Sequence, residues 1–295
     1  MAKKTGLIPL REKVKELERV YGRVQKEIAS ELFSVGIMDY REMKSMKVQE
    51  RIDMLIKKLN RMSIRWVKES VPAAYKKSYV VAKTSLEILG AKKDALFNAQ
   101  KHRLSIEDYI EKTMKDLVNA NQSIKNNVNM YLYLARRASA GLMQIQQFDP
   151  MDEAVISKII TDTMEAGRER AYASNRIYDY LRLKLLDGNF IDKAGRNYNL
   201  RSYSKMVART RLREAQTEAV ENMCEQYDND LVQWSKHADP CPICAPHEGK
   251  IYSLSGKHPV YPQLIVRPPR DTHPNCEHNI SPTSEVAIEM RKKFH

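Results

Sequence analysis

Proline limits what this chain can build more than any other residue, and its placement is lopsided. Nine of the twelve prolines lie between His237 and Pro282, while the first 236 residues hold only Pro9, Pro72 and Pro150. Proline lacks a backbone donor and fixes φ, so a dense run forbids long helices and its scarcity permits them. The same short segment carries three of the four cysteines and five of the seven histidines. The chain therefore reads as mainly α. A body of long helices is expected over residues 1–190, followed by a small α+β module, stapled by zinc, over residues 191–295.

Within the body, Leu10, Val14, Leu17, Tyr21, Val24, Ile28 and Leu32 recur at three- and four-residue steps, one face of an amphipathic helix. Gly36 and the stretch GIMDY interrupt it. Ile52, Leu55, Ile56 and Leu59 mark a second helix running toward Pro72, and Val80, Leu86, Leu89 and Leu96 a third. Ser105-Ile-Glu-Asp108 has the form of a helix start, with Ser105 as cap, and that helix is expected to run to about Gln147. Asp149-Pro150 opens another, expected to end at Asp187-Gly188. NFIDKAGRNYNL reads as a short hairpin turning at Lys193-Ala-Gly195. A helix from about Ser202 to Tyr227 follows, with Cys224 on its buried side as a small core hydrophobe rather than a ligand. DLVQWSKH (230–237) and IYSLS (251–255) read as strands.

Composition narrows the setting. No stretch approaches the roughly 18 apolar residues that span a bilayer, and MAKKTGLIPLREK lacks the apolar core of a signal peptide, so no membrane role is expected. Maturation in a reducing cytoplasm then favours thiols or metal ligands over disulfides. The formal net charge of +13 suits a polyanionic neighbour, nucleic acid or an acidic protein surface, and equally an ordinary basic exterior. Residues 51–93 concentrate it: Arg51, Lys57, Lys58, Arg61, Arg65, Lys68, Lys76, Lys77, Lys83, Lys92 and Lys93 face only Asp53, Glu69 and Glu87. Trp66, Tyr75 and Tyr79 lie among these charges, where they serve either as stacking platforms for unpaired bases or as core.

The chemical signal is Cys241-Pro-Ile-Cys244 followed, after twenty-eight residues, by His273-Pro-Asn-Cys276. Two pairs at this spacing form two tight knuckles that aim four ligands at one point, and three thiolates with one imidazole make a closed structural zinc site. A redox pair at Cys241 and Cys244 fits less well, because such a pair opens a helix and here Pro240 and Pro242 flank it. The fourth ligand stays open, with His278, His247, His237 and His258 as alternatives to His273. A catalytic ion would need an open position and a base, for which His237, Asp239 and Glu248 are the neighbours. No nucleophile elbow, phosphate loop or HExxH stretch is present, and no enzyme is expected.

GRNYNLRSYSKMVARTRLREA (195–215), HADPCPICAPHEGKIYSLSG (237–256) and THPNCEHNISP (272–282) together resemble the C-terminal part of the tailed-phage minor capsid protein family. That family is related to the SPP1-type and Mu-type minor head morphogenesis proteins. The resemblance covers Arg209-Thr210, the Cys-x-x-Cys, the Gly249-Lys250-Ile-Tyr252 turn and the His-Pro-Asn-Cys ending. It implies a structural virion protein acting in head assembly at the portal or inner capsid. Its expected partners are the portal, the major capsid protein and packaged double-stranded DNA. The resemblance carries the family's cysteine and histidine positions to Cys241, Cys244, His273 and Cys276, with His278 as an extra. Where relatives often place a basic residue after the last cysteine, this chain has Glu277, which argues against phosphate binding by that loop. Arg209 is expected to play a structural part. The rival readings are a zinc-dependent nuclease or hydrolase, and a nucleic-acid-binding zinc protein with no place in a virion.

Overall fold

The computed structural model describes residues 10–33, 42–91, 99–139, 150–168, 172, 176, 180, 189–191 and 197–294. The chain is mainly helical: α1 (Leu10–Phe33), α2 (Glu42–Ile88), α3 (Ala99–Ser139), α4 (Pro150–Glu165), α5 (Leu200–Gln226) and α6 (Glu285–Phe294). Strands β1 (Asn189–Ile191) and β2 (Asn197–Asn199) form the expected antiparallel hairpin, Phe190 opposite Tyr198. Strands β3 (Leu231–Trp234), β4 (Ile251–Ser253) and β5 (Ile280–Pro282) form an antiparallel sheet in the order β4-β3-β5. Gly36, Leu96, the hairpin turn at Lys193-Ala-Gly195 and Asp149 lie outside the described residues.

Three helix boundaries differ from the sequence reading. Pro72 does not separate two helices but sits inside α2. Proline leaves one carbonyl of the preceding turn without its donor. Yet Trp66, Val67, Val71, Ala74 and Tyr75 form an unbroken buried stripe around it. Burying each large side chain contributes roughly 1.5–3 kcal/mol, so the packing outweighs the break. Lys68, whose carbonyl loses the donor, is exposed to water. At the other end of α2, Gly90 (φ +76°) lets the Ala91 amide reach back to the Leu86 carbonyl and close the helix.

The second difference is Ser105. It caps nothing, because α3 already begins at Ala99; its hydroxyl instead accepts a hydrogen bond from Asn222. The third is α4, which stops at Glu165 rather than near Gly188. Gly167 (φ +60°) takes the left-handed position, and the Arg168 amide bonds the Thr163 carbonyl. Strand β5 and helix α6 carried no signal that the sequence reading used.

The chain divides into two compact units, both built from interleaved segments. One comprises Glu18–Met62 and Leu117–Ser204. Its core holds Tyr21, Val24 and Ile28 from α1, Ile52, Ile56 and Leu59 from α2, and Leu117, Val128 and Leu132 from α3. Asn121 donates to Asn60 at 2.7 Å, and ion pairs Lys58–Glu27 and Arg51–Glu31 lie toward the surface. Such exposed pairs add little stability.

The other unit comprises Met1–Leu17, Ser63–Asp116 and Lys205–His295. Its core joins Ala82 and Leu86 of α2, Val220, Met223 and Cys224 of α5, Val232 and Trp234 of β3, and Cys244, Tyr252, Leu264, Cys276 and Ile280. Beside it runs a buried polar chain. The His102 Nε2–H donates to Gln226 Oε1, an oxygen that only accepts, so Nδ1 receives the Tyr75 hydroxyl at 2.8 Å. Asn222 in turn donates to the Tyr75 oxygen. Tyr75 is 1% exposed, and burial pushes its hydroxyl up to about 12. Trp66 is equally enclosed, donating to the Lys13 carbonyl, and Tyr79 packs against the core. Trp66 and Tyr75 are therefore core residues, and the base-stacking alternative is overturned for those two, while Tyr79 is partly buried.

Cys224 is core, as its place on the helix stripe indicated. It is fully buried, and burial pushes its thiol up to about 12, so the reactive thiolate is absent near neutrality. An alkylating reagent at pH 8 is expected to leave Cys224 unmodified in the native chain and to label it on denaturation. Peptide mass mapping reads the difference, and rapid native labelling would contradict the packing.

Candidate metal centre

The site grows from the end of β3. Trp234 and Ser235 lead into a loop whose first knuckle is a tight turn, with the Cys244 and Ala245 amides both bonding the Cys241 carbonyl. Pro246 then sits in a single 3-10 turn, Ala245–His247, before the chain returns as β4. The second knuckle closes in the same way, the Cys276 amide bonding the His273 carbonyl. Asn275 takes φ +67° there, a conformation asparagine tolerates better than most residues. Helix α5 steadies this turn, since the Thr210 hydroxyl accepts from the Asn275 amide at 3.3 Å. Thr210 of the Arg209-Thr210 pair thus has a structural task.

The loop between the knuckles is bound to α5 as well. Thr217 donates to the Pro268 carbonyl, and Arg267 pairs with Glu221 at 2.9 Å. After the second knuckle the Ser235 amide bonds the Asn279 carbonyl, which sets β5 against β3. Both knuckles are therefore anchored to one helix and one sheet.

Cys241 Sγ lies 3.1 Å and Cys244 Sγ 3.4 Å from His273 Nε2. Cys244 Sγ lies 3.7 Å from Cys276 Sγ, and Cys276 Sγ lies 3.5 Å from His278 Nδ1. A tetrahedral zinc ion, with bonds of about 2.3 Å to sulfur and 2.0–2.1 Å to nitrogen, sets its ligands about 3.5–3.8 Å apart. Cys244–Cys276 and Cys276–His278 match that edge, and the two sulfur contacts to His273 are shorter. The donor atoms form two groups that could hold an ion: Cys241, Cys244 and His273, and Cys244, Cys276 and His278. Cys244 belongs to both. The four residues expected from the sequence are thus linked through one sulfur, with His278 as a fifth donor.

The other histidines are occupied elsewhere. His247 bonds the Tyr252 hydroxyl and stacks on Trp234. His258 accepts the Val260 and Tyr261 amides and faces Glu285. His237 contacts Ser235 through Nε2 and lies edge-on to His278.

Burial and the closeness of the sulfurs set the electrostatics of the cluster. Burial pushes the Cys244 thiol up, and the adjoining sulfurs of Cys241 and Cys276 push further in the same direction. The Cys241 thiol is drawn down, chiefly by the Cys244 amide. A divalent ion reverses the penalty on Cys244, because bound thiols are deprotonated outright. Glu248 is held below its ordinary range by His278 and by the His237 amide, which both donate to Oε1. That engagement makes Glu248 an orienting group rather than a free base, and Asp239 is exposed. Beside Cys276, burial lowers the Arg213 guanidinium while Glu277 opposes the shift. Glu277 therefore lies within the field of a cation supplied by α5.

A mainly helical chain that brings Cys241, Cys244, His273, Cys276 and His278 together beside a small sheet defines a class of helical proteins with a C-terminal Cys/His module that could hold a metal ion. The family described as phage minor capsid protein 2 matches residues 36–285, and the chain belongs to it. Membership bears out the resemblance found over residues 195–282 and extends it through most of the helical body. It carries a structural role in the virion. No curated protein and no solved structure matches the chain. Among the described residues no helix is long and apolar enough to cross a membrane.

Proposed function

We propose that this chain is a minor head protein that joins the portal or the inner capsid during head assembly in the host cytoplasm. We further propose that Cys241, Cys244, His273 and Cys276 hold a structural zinc ion there. The observation that carries both is the family match across residues 36–285, with both knuckles inside it. Residues 1–190 supply a helical body that reaches partners, and residues 191–295 a rigid module. No catalytic step is assigned. Glu248 is committed to His278 and the His237 amide, which favours an orienting role over a hydrolytic one.

Contact with packaged DNA is proposed through phosphates alone. Arg51, Lys57, Lys58, Arg61, Arg65, Lys68 and Lys76 are all exposed on α2, whereas Trp66 and Tyr75 are buried. Phosphate contacts release counterions, so binding is expected to weaken steeply between 50 and 200 mM salt, by about 10³-fold for some six contacts. Fluorescence anisotropy on a random duplex measures this, and binding indifferent to salt would remove the DNA component. Mass spectrometry of gradient-purified particles tests the assignment itself. The chain is expected at a few copies per head, and its absence from particles would overturn the role.

A further inference from the structure

The donor atoms form two three-member groups that share Cys244 Sγ, and a tetrahedral ion takes four ligands, so the part played by His278 in the second group is open. We infer that His278 is a ligand of the same ion through Nδ1 and exchanges with Cys241 for the fourth position. The inference rests on the metal reading above.

The first argument is the tautomer. His278 is 5% exposed, so both ring nitrogens need partners inside the protein. Glu248 Oε1 lies 2.6 Å from Nε2, and an ionised carboxylate only accepts. Nε2 therefore carries the proton, and Nδ1 turns a lone pair toward Cys276 Sγ, 3.5 Å away. Its distance to Cys276 Sγ is that of two ligands on one tetrahedral ion, so an ion at the cysteines would take this lone pair as well.

The second argument is the support behind the ring. Metal-binding histidines commonly donate their other N–H to a carboxylate that fixes the ring and raises its basicity. Glu248 does this for His278, and the His237 amide pins the same carboxylate oxygen at 2.9 Å. Trp234 and His237 pack the ring on two sides, at 5.5 and 4.3 Å between centroids. His273, by contrast, has only the adjacent Pro274 carbonyl at its Nδ1.

The third argument is burial. Cys244, Cys276 and His278 are all buried, while Cys241 and His273 are partly exposed, Cys241 being the thiol on that rim. If one of five donors yields its place, the rim thiol yields most readily, since solvent can stabilise it when free.

The test uses the full chain, loaded with zinc, as wild type, Cys241→Ser, Cys241→Ser with His278→Ala, and Cys241→Ser with Glu248→Gln. Chelator competition gives affinity, and long-range 15N spectra of the histidines show which nitrogen carries metal. Cys241→Ser is expected to keep one equivalent of zinc with His278 Nδ1 metallated. Adding His278→Ala is expected to abolish stoichiometric binding, and adding Glu248→Gln to weaken it by about 10–100-fold. The inference is overturned if Cys241→Ser loses the metal, or keeps it with His278 Nδ1 free. A wild-type chain that binds no metal would instead sink the reading beneath it, so the two failures are distinguishable.

Discussion

Replacing Cys244 with serine is expected to have the largest single effect in this chain: loss of bound metal together with loss of the folded C-terminal module. Cys244 Sγ is the one atom common to both donor groups, and its residue is fully buried in the core with Trp234, Tyr252 and Ile280. Ion binding at a site of this type supplies on the order of 10 kcal/mol, more than the net stability of most domains. The module has few other resources, since its strands are three or four residues long. Metal content by mass spectrometry and near-ultraviolet circular dichroism read the two losses together. A chelator that strips the wild type should reproduce them, and restored zinc should reverse them. A Cys244→Ser chain that stays folded and keeps a full equivalent of zinc would refute the structural role.

The second large effect is expected at Trp234. Its ring is 1% exposed, stacks on His247 and lies beside His278, so it links the sheet to the second layer around the cluster. Truncation to alanine removes the ring and leaves a cavity, a change that costs about 3–5 kcal/mol. Phenylalanine should cost distinctly less. The indole N–H has no hydrogen-bond partner among the described residues, so its removal leaves no lost bond to offset the smaller ring. Denaturant midpoints in excess zinc separate this packing loss from any loss of metal. Equal stability of the alanine and phenylalanine variants would show that ring volume is not what holds the layer.

Much of this was legible beforehand, for definable reasons. Proline density marked where long helices stop, and three-and-four periodicity placed α1 and α5 to within a residue or two. Spacing alone paired the two knuckles. What escaped the sequence was decided by tertiary packing. Pro72 reads locally as a stop, but a stripe from Trp66 to Tyr75 buries through it. Ser105 reads as a cap, yet its hydroxyl is taken by Asn222, more than a hundred residues away. The carboxylate behind His278 is only half legible: the sequence offers Glu248 as a base or as a partner to a ligand, and the ring it supports lies thirty residues downstream. Thr210 was visible as a motif without a task, because its partner, the Asn275 amide, is a backbone group that no side-chain pattern announces.

The interleaving of the chain has a consequence for how it is made. Ala82 and Leu86 share their core with Cys244, Cys276 and Ile280, all contributed by the last sixty residues. Translation adds about 5–20 residues per second, so these two positions leave the ribosome several seconds before their cover exists. During that interval Ala82 and Leu86 lack the side chains that cover them in the fold.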